Sequence, residues 1–358
     1  MKQHPQENVL IMGSGGIGGT IAAKLCAKGV DVTVITRNPE IADVINKQGL
    51  RATYDQQQHT AHPRASAATA DLGDSPTATF TLCIIAVPPS SAEQALEDAL
   101  PWLHEDAPVL CCPNGLIEER LALKISSERV VGGIVTFAGS MHGPGEVEQT
   151  STGGITLGRL PDAARASDPT LDHIEALFSG CFPIHRTSNL RGSRWSKLAL
   201  NCGVSSLGTV GGDTLGVLMR HRIVRRMMLE TITEAVEVAH AEEVELVKVA
   251  GTLNLNWLAL GRWERRRRGS AKLIAKHTLL LLAGAPYRNM RSSMLRGLER
   301  GRKPPADYLN GEITARASKH NLDAPVNAAL QEALVALGEG EQKPSLSLLR
   351  SVYERTRR

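Results

Sequence analysis

Aromatic residues are scarce: Phe, Tyr and Trp make up 3% of the 358 residues. Aliphatic side chains and alanine must therefore fill the cores. No apolar run approaches the ~20 residues that a membrane-spanning helix needs, so a membrane protein is not expected. The start, Met1-Lys2-Gln3-His4-Pro5, is polar and lacks the apolar centre of a secretory signal. One sign of charge does not dominate: the net charge is +4, too modest to point to nucleic acid. The six cysteines are Cys26, Cys83, Cys111, Cys112, Cys181 and Cys202. They show no C-x-x-C or His-paired spacing and lie mostly in apolar stretches. Buried free thiols in a reducing cytoplasm are expected, rather than zinc or a disulfide framework. No unit recurs along the chain, which excludes a solenoid.

What is present is ordinary in bulk: 42% hydrophobic and 22% charged residues, as in globular domains. The length suggests two domains. The informative stretch is Val9 to Arg37. Val9-Leu10-Ile11-Met12 reads as a strand and Gly13-Ser14-Gly15-Gly16-Ile17-Gly18-Gly19 as a glycine turn. An alanine-rich helix follows, then Val30-Asp31-Val32-Thr33-Val34-Ile35-Thr36-Arg37 as a second strand. Gly13, Gly15 and Gly18 fit G-x-G-x-x-G, in which the glycines allow a tight turn, approach of a pyrophosphate and close helix–strand packing. Free N–H groups and the dipole at the helix start favour phosphate. Alone the pattern is also compatible with a structural glycine turn. Its setting between two strands favours a dinucleotide. NAD sites usually end the second strand with an acid, whereas an Arg can accommodate the 2′-phosphate of NADP. This strand ends Thr36-Arg37-Asn38, so NADP(H) is expected, the alternative being that Arg37 is an ordinary solvated side chain.

Pro39 to Gln48 reads as a helix and Leu50 to Tyr54 as a strand. Gln56 to Ser75 is polar and reads as a surface excursion. Leu82 to Val87, Val109 to Cys112 and Val130 to Phe137 are apolar runs of the kind that parallel strands show when covered on both faces. Ser90 to Leu103 and Leu116 to Ile125 have helical spacing. This alternation predicts a doubly wound sheet, with ligands beyond the carboxyl ends of its strands. Three stretches lie there: the Gly13 loop, Val87-Pro88 and Pro113-Asn114-Gly115. Gly145 to Thr150, Gly153 to Gly158 and Phe182 to Thr187 suggest antiparallel strands that finish the domain. From about Asn189 helical patterns take over: Ser193 to Leu207, Val217 to Val249, Thr252 to Arg268, Ile274 to Leu282 and Asn327 to Leu337. The fold class expected is an α/β Rossmann-type domain over 1–187 followed by an all-α domain over 188–358. The basic run Arg262-Trp263-Glu264-Arg265-Arg266-Arg267-Arg268 is compatible with an anionic surface, but a solvated helix end explains it more simply. Glu242, Glu243 and Glu245 are placed to neutralise part of it.

Lys197, Asn201 and Ser205 are spaced by four and share one side of a helix. A lysine on a partly buried face has a depressed pKa and can donate a proton. On spacing alone, a solvated lysine with local hydrogen bonds is the better reading.

The chain as a whole resembles the ketopantoate reductase (2-dehydropantoate 2-reductase) family. The carriers are the glycine loop, Thr36-Arg37, Asn114-Gly115, Arg194-Trp195-Ser196-Lys197-Leu198 with Asn201, Ser292-Ser293-Met294, Asp307-Tyr308-Leu309-Asn310-Gly311 and Pro325-Val326-Asn327. The resemblance implies a Rossmann domain, a helical domain, NADPH in the cleft between them and hydride transfer to the carbonyl of a 2-oxo acid, the family's step in pantothenate biosynthesis. It assigns Lys197 as the general acid, Asn114 near nicotinamide and substrate, Asn201 as an orienting group and Ser293 as a holder of the substrate carboxylate. Cofactor contacts would come from Gly13, Ser14, Gly15, Gly16, Ile17, Gly18, Arg37, Val87 and Asn114. It implies a cytoplasmic enzyme acting on a small 2-oxo acid or related carbonyl, with a homodimer plausible.

The departures matter as much. The family usually carries an Asp four residues past the second serine and a Glu twelve past it; here those positions are Gly297 and Pro305. Ser205 stands for a common Asn, Pro88 for a common Lys, and Met290 for a frequent Asn. The cofactor half is intact and the substrate half altered, which implies a substrate other than ketopantoate. Two rivals stand beside a 2-oxo-acid reductase: a reductase of another carbonyl or imine, and a catalytically silent NADP-binding protein.

Overall fold

The computed structural model describes residues 7–73, 79–160, 167–249, 252–266, 269–285 and 288–357. Its contacts divide the chain into two compact units, Met1–Leu190 and Arg191–Arg358.

The strands of the first unit are β1 (Asn8–Met12), β2 (Asp31–Ile35), β3 (Leu50–Tyr54), β4 (Gln57–Ala61), β5 (Arg64–Ser66), β6 (Leu82–Ile85), β7 (Val109–Cys111), β8 (Val130–Val135), β9 (Gly139–Gly143), β10 (Glu146–Gln149), β11 (Ile155–Arg159) and β12 (Ile184–Arg186). Its helices are α1 (Gly16–Ala27), α2 (Pro39–Gln48), α3 (Ala92–Ala99), α4 (Ile117–Leu121) and α5 (Pro169–Phe178). Eight strands form one sheet in the order β12-β11-β8-β7-β6-β1-β2-β5. From β8 through β5 every pairing is parallel. Val9, Leu10 and Ile11 of β1 and Leu82, Cys83, Ile84 and Ile85 of β6 are fully buried, as central strands covered on both faces must be.

A second sheet, in the order β4-β3-β10-β9, stands apart. Helix α1 packs against strands of both sheets. A helix enclosed on two sides needs small residues all round rather than one apolar stripe, which accounts for its glycines and alanines. Gly19 shows the constraint: a Cβ there would lie 2.8 Å from Val147 of β10.

Two expectations are corrected here. The polar stretch from Gln56 folds as β4 and β5. β4 exposes most of its side chains and is held by antiparallel pairing with β3, so no hydrophobic pattern marks it. The three turn-rich stretches are not uniformly antiparallel. β11 is antiparallel to β8, but β12 lies parallel to β11, because α5 carries the chain back across the sheet before β12 begins. β10 joins the smaller sheet, antiparallel to β9 and parallel to β3.

The second unit is helical among its described residues: α6 (Leu190–Gly211), α7 (Leu215–Met219), α8 (Arg222–Ala241), α9 (Leu255–Leu258), α10 (Arg262–Arg266), α11 (Ala271–Gly284), α12 (Ser293–Glu299), α13 (Asn310–Lys319), α14 (Pro325–Gly338) and α15 (Leu346–Thr356). The long helix expected over Val217 to Val249 is two helices, with His221 at the start of the second, and it stops at Ala241. Among its described residues, the stretch from Thr252 to Arg268 holds only the short α9 and α10. Helices α12, α13 and α15 were not anticipated. No helix among the described residues is long and apolar enough to cross a membrane.

The acids around the basic run also differ from expectation. Arg265 pairs with Glu237 at 2.7 Å and Glu230 at 3.7 Å. Glu242 instead binds Arg191 at 3.0 Å, Arg316 at 2.8 Å and His320 at 3.0 Å. The acids that meet Arg265 come from α8 one turn and more before its end, whereas Glu242 lies just past it. Arg267 and Arg268 lie outside the described residues.

Candidate active site

In the first unit, the loops after β7, β6, β1 and β2 follow one another along the carboxyl edge of neighbouring parallel strands. Gly13, with φ +114°, follows β1; its N–H donates to the Ile35 carbonyl at 2.8 Å. A Cβ on Gly13 would lie 2.8 Å from the Ala86 carbonyl oxygen and 3.1 Å from Val87 Cγ1. Gly18 cannot carry a side chain, because its Cβ would fall 1.9 Å from the Gly13 carbonyl oxygen. Gly15, which precedes α1, is different: a Cβ there would meet nothing within 4 Å. The loop is thus jammed where helix meets strand and open where a phosphate would approach. Ser14 is buried and Ile17 half-buried. No acidic residue stands in the first turn of α1, so nothing there competes with an anion for the positive end of the helix. The residues present fit a dinucleotide pyrophosphate.

Gly16 has a further neighbour. A Cβ on it would lie 2.2 Å from the Gly139 carbonyl carbon and 2.4 Å from the Ser140 nitrogen. The backbone of β9 therefore runs against the first turn of α1.

Arg37 follows β2 in the left-handed conformation, φ +57°. Its side chain is exposed, and Nη2 donates to Ser91 Oγ at 3.2 Å. Ser91 belongs to the turn after the Val87-Pro88 corner, so the guanidinium reaches from the end of β2 toward the end of β6. Val87 is half-buried and Asn114 exposed, the latter just before Gly115 with φ +96°. Gly13 to Gly18, Arg37, Val87 and Asn114 are brought to one edge of one sheet.

Lys197, Asn201 and Ser293 belong to the second unit. α6 is an unbroken helix of 22 residues. Trp195, Leu198, Ala199 and Cys202 are buried on it, while Lys197, Asn201 and Ser205 are half-buried. α12 meets α6 at the end of that row: Ser292 Oγ donates to the Ser205 carbonyl at 3.1 Å. Ser292 is also the N-cap of α12, accepting from the Met294 N–H at 3.2 Å. Of the two adjacent serines, Ser292 is thus buried and structural, and Ser293 is exposed on the first turn.

Gly297 lies in α12, and a Cβ there would meet only Arg302 Cβ, at 3.9 Å. The backbone tolerates a side chain, so the missing acid is not excluded by packing. Pro305, with φ −78° and ψ 57°, leads into a short 3-10 turn over Ala306–Tyr308.

Sequence reasoning gave no role to a buried polar chain that anchors α6. Asn310 is fully buried. It donates to the Cys202 carbonyl at 3.3 Å and to Asn327 Oδ1 at 2.9 Å, and accepts from Ser206 Oγ at 2.5 Å. Asn327 donates through Nδ2 to Glu234 Oε2 at 2.8 Å. Glu234 also accepts the Val326 and Asn327 N–H groups at 3.0 and 2.9 Å, capping α14. Burial, opposed by those hydrogen bonds, pushes the Glu234 carboxyl up to about 7. Asn310 and Asn327 stand within motifs that carry the family resemblance; Glu234 had no sequence signal.

A Rossmann-type unit with an open glycine loop, followed by a helical unit, is an architecture used by oxidoreductases that bind a nicotinamide dinucleotide. Family profiles name it further. The one described as "Ketopantoate reductase PanE/ApbA" matches residues 9–162, and "Ketopantoate reductase PanE/ApbA C terminal" matches residues 189–338. The chain belongs to the ketopantoate reductase family. It is 25% identical over 325 residues to the uncharacterized oxidoreductase YkpB of Bacillus subtilis, covering 88% of this chain and 94% of that one. It is 25% identical over 338 residues to 2-dehydropantoate 2-reductase of Pyrococcus horikoshii, covering 93% and 99%. Among solved structures, a PanE/ApbA family ketopantoate reductase from Ralstonia eutropha superposes with a TM-score of 0.75 at 23% identity, covering 94% of this chain and 99% of that one. D-mandelate dehydrogenase in its ternary structure with NADH and anilino(oxo)acetate gives 0.78 at 20% identity, covering 93% and 98%. These two likenesses concern the fold.

Proposed function

We propose that the chain is an NADPH-dependent reductase of a 2-oxo acid other than ketopantoate, with Lys197 as general acid. The observation that carries this reading is the row on α6: Lys197 and Asn201, one turn apart and half-buried, beside a fully buried helix face. NADPH, when bound, supplies the hydride. The glycine loop holds its pyrophosphate through the α1 N–H groups. Arg37 pairs with the 2′-phosphate, released from Ser91 or bridging with it. The Lys197 ammonium stabilises the charge growing on the carbonyl oxygen and then protonates the alkoxide. Asn201 orients substrate or lysine, Ser293 holds the carboxylate, and Asn114 stands by nicotinamide and substrate.

Gly297 and Pro305 support a changed substrate. Neither offers a hydrogen-bond acceptor in its side chain, so a hydroxylated substrate would bury an unpaired group. The D-mandelate dehydrogenase likeness supports the same point: this fold serves a 2-oxo acid with no ketopantoate hydroxyl. That protein was solved with NADH, so cofactor preference here rests on Arg37 alone.

The test is oxidation of NADPH and of NADH across a panel of 2-oxo acids, ketopantoate included. Turnover with NADPH on an apolar 2-oxo acid, and little on ketopantoate, is expected. Tight NADPH binding without turnover on any member would refute the reading in favour of a silent binding protein.

A further inference from the structure

α11 carries apolar side chains on both its sides. Leu273 and Leu280 are buried on the inner side, together with Lys276, whose charge is met by Glu264 at 2.8 Å. The outer side presents Ile274, Ala275, Thr278, Leu281 and Leu282, all exposed. At 3.6 residues per turn these five fall within a stripe about 120° wide. A helix with apolar side chains all round belongs inside a core, yet Ile274 is 65% exposed, Leu281 42% and Leu282 67%.

The exposure is concentrated rather than scattered. Nine large hydrophobic residues are exposed among the described residues, and five of them lie on α9, α10 and α11. Trp257 and Trp263 are the other two of the five. They stand on the short helices that Lys276 ties to α11: its Nζ donates to the Ala259 carbonyl at 2.7 Å and to Glu264 Oε2 at 2.8 Å. A concentration of this kind marks an interaction surface.

The stripe itself says what covers it, because it reads the same way from both ends. Thr278 is at its centre. Ile274 lies four residues before it and Leu282 four after; Ala275 lies three before and Leu281 three after. Ala271 and Ala285, both exposed, lie seven before and seven after. A second α11 laid antiparallel across the first brings Ile274 of one copy level with Leu282 of the other, and Ala275 level with Leu281. Small then meets large in the second layer, as knobs entering holes require. Lys272, the one charge that α11 exposes among the described residues, comes level with Gly284, the last residue of the helix in the other copy. A cation there faces the negative pole of a helix. An unlike partner needs no such symmetry. A lipid surface calls for a polar face rich in lysine and arginine beside the apolar stripe, and α11 supplies one lysine.

We propose that the outer face of α11 is a self-association surface, on which two copies of this chain pack α11 against α11, antiparallel, about a two-fold axis at Thr278. Such a contact is isologous and closed, so assembly stops at the dimer. The surface lies within the second unit and does not depend on the proposed reaction.

The test is the mass of the full chain by light scattering after size exclusion, across a dilution series. The parent should be a dimer. Ile274→Lys and Leu282→Glu change the same layer from opposite copies. Each alone should fold as the parent does, since both positions are exposed in the single chain, and should dissociate, the buried unpaired charge raising the dissociation constant roughly a hundredfold. An equimolar mixture of the two variants should regain the dimer, because the new charges then lie level with each other. Thr278→Cys should give a disulfide-linked dimer on mild oxidation, with the parent as control for its own cysteines. A monomeric parent, a dimer untouched by both single variants, a mixture that stays monomeric, or a Thr278→Cys protein that does not link would each overturn the proposal. A monomeric parent that floats with phosphatidylserine vesicles would name a lipid surface in its place.

Discussion

Replacing Glu234 by Gln should change how stability depends on pH. The carboxyl is 3% exposed. Two effects act on it in opposite directions: burial disfavours the charge, while two backbone N–H groups at the start of α14 and the Asn327 amide favour it. Burial prevails, and the folded value is about 7 against an ordinary 4.5. That gap is roughly 2.5 pH units, worth about 3 kcal/mol at ~1.36 kcal/mol per unit. A raised folded value means that the native state holds its proton longer than the unfolded chain. Stability from this group is therefore complete below pH 4.5, declines as pH rises and is gone above pH 7. Gln cannot titrate and turns an N–H donor toward one of the backbone donors, which should cost roughly 1–3 kcal/mol at pH 5. The parent should thus be the more stable protein at pH 5, and its advantage should shrink or reverse by pH 8. Urea unfolding followed by tryptophan fluorescence suits the question, because Trp195, Trp257 and Trp263 lie in the second unit and only Trp102 in the first. The quantity to follow is the parent-minus-variant difference, which removes the other titrating groups. A difference that stays constant from pH 5 to 8, or grows in the parent's favour, would show that the hydrogen bonds outweigh burial.

Arg37→Ala should weaken NADPH binding about ten- to a hundredfold and leave NADH nearly unchanged; fluorescence titration of both cofactors checks this, and equal losses would remove the 2′-phosphate assignment. Lys197→Ala should lower turnover by roughly 10²–10⁴-fold on the best substrate found with little change in NADPH affinity, and survival within a few-fold would mean another proton donor. The Gly297→Asp, Pro305→Glu double variant should reduce ketopantoate faster than the parent, since position 297 has room for a side chain; efficient reduction by the unmodified protein would end the altered-substrate argument.

The β-α-β start was legible because its signals are local: an apolar run, glycines at fixed offsets, a β-branched run. β4 was not, because Gln57 to Ala61 takes its conformation from pairing with β3 rather than from its own side chains. The break between α7 and α8 was hidden by apolar periodicity that continues through Arg220 and His221. At the site, the resemblance pointed to a serine pair, but only packing separates Ser292, which caps α12 and binds α6, from the exposed Ser293. Glu234 was invisible for a similar reason. A lone carboxylate in a helix reads as solvated until the partner helix that presents its amides, here 92 and 93 residues downstream, is in place.

The contact between Gly16 and Gly139 bears on how this sequence can drift. The two positions lie far apart along the chain, yet neither backbone leaves space for a methyl group on the other. Each position therefore constrains the other. A side chain can be admitted at either only if β9 or the first turn of α1 shifts, so both positions should stay glycine among close relatives that keep this packing. The smaller sheet is thereby tied to the cofactor loop, and its length and register are subject to selection through cofactor affinity as well as through stability.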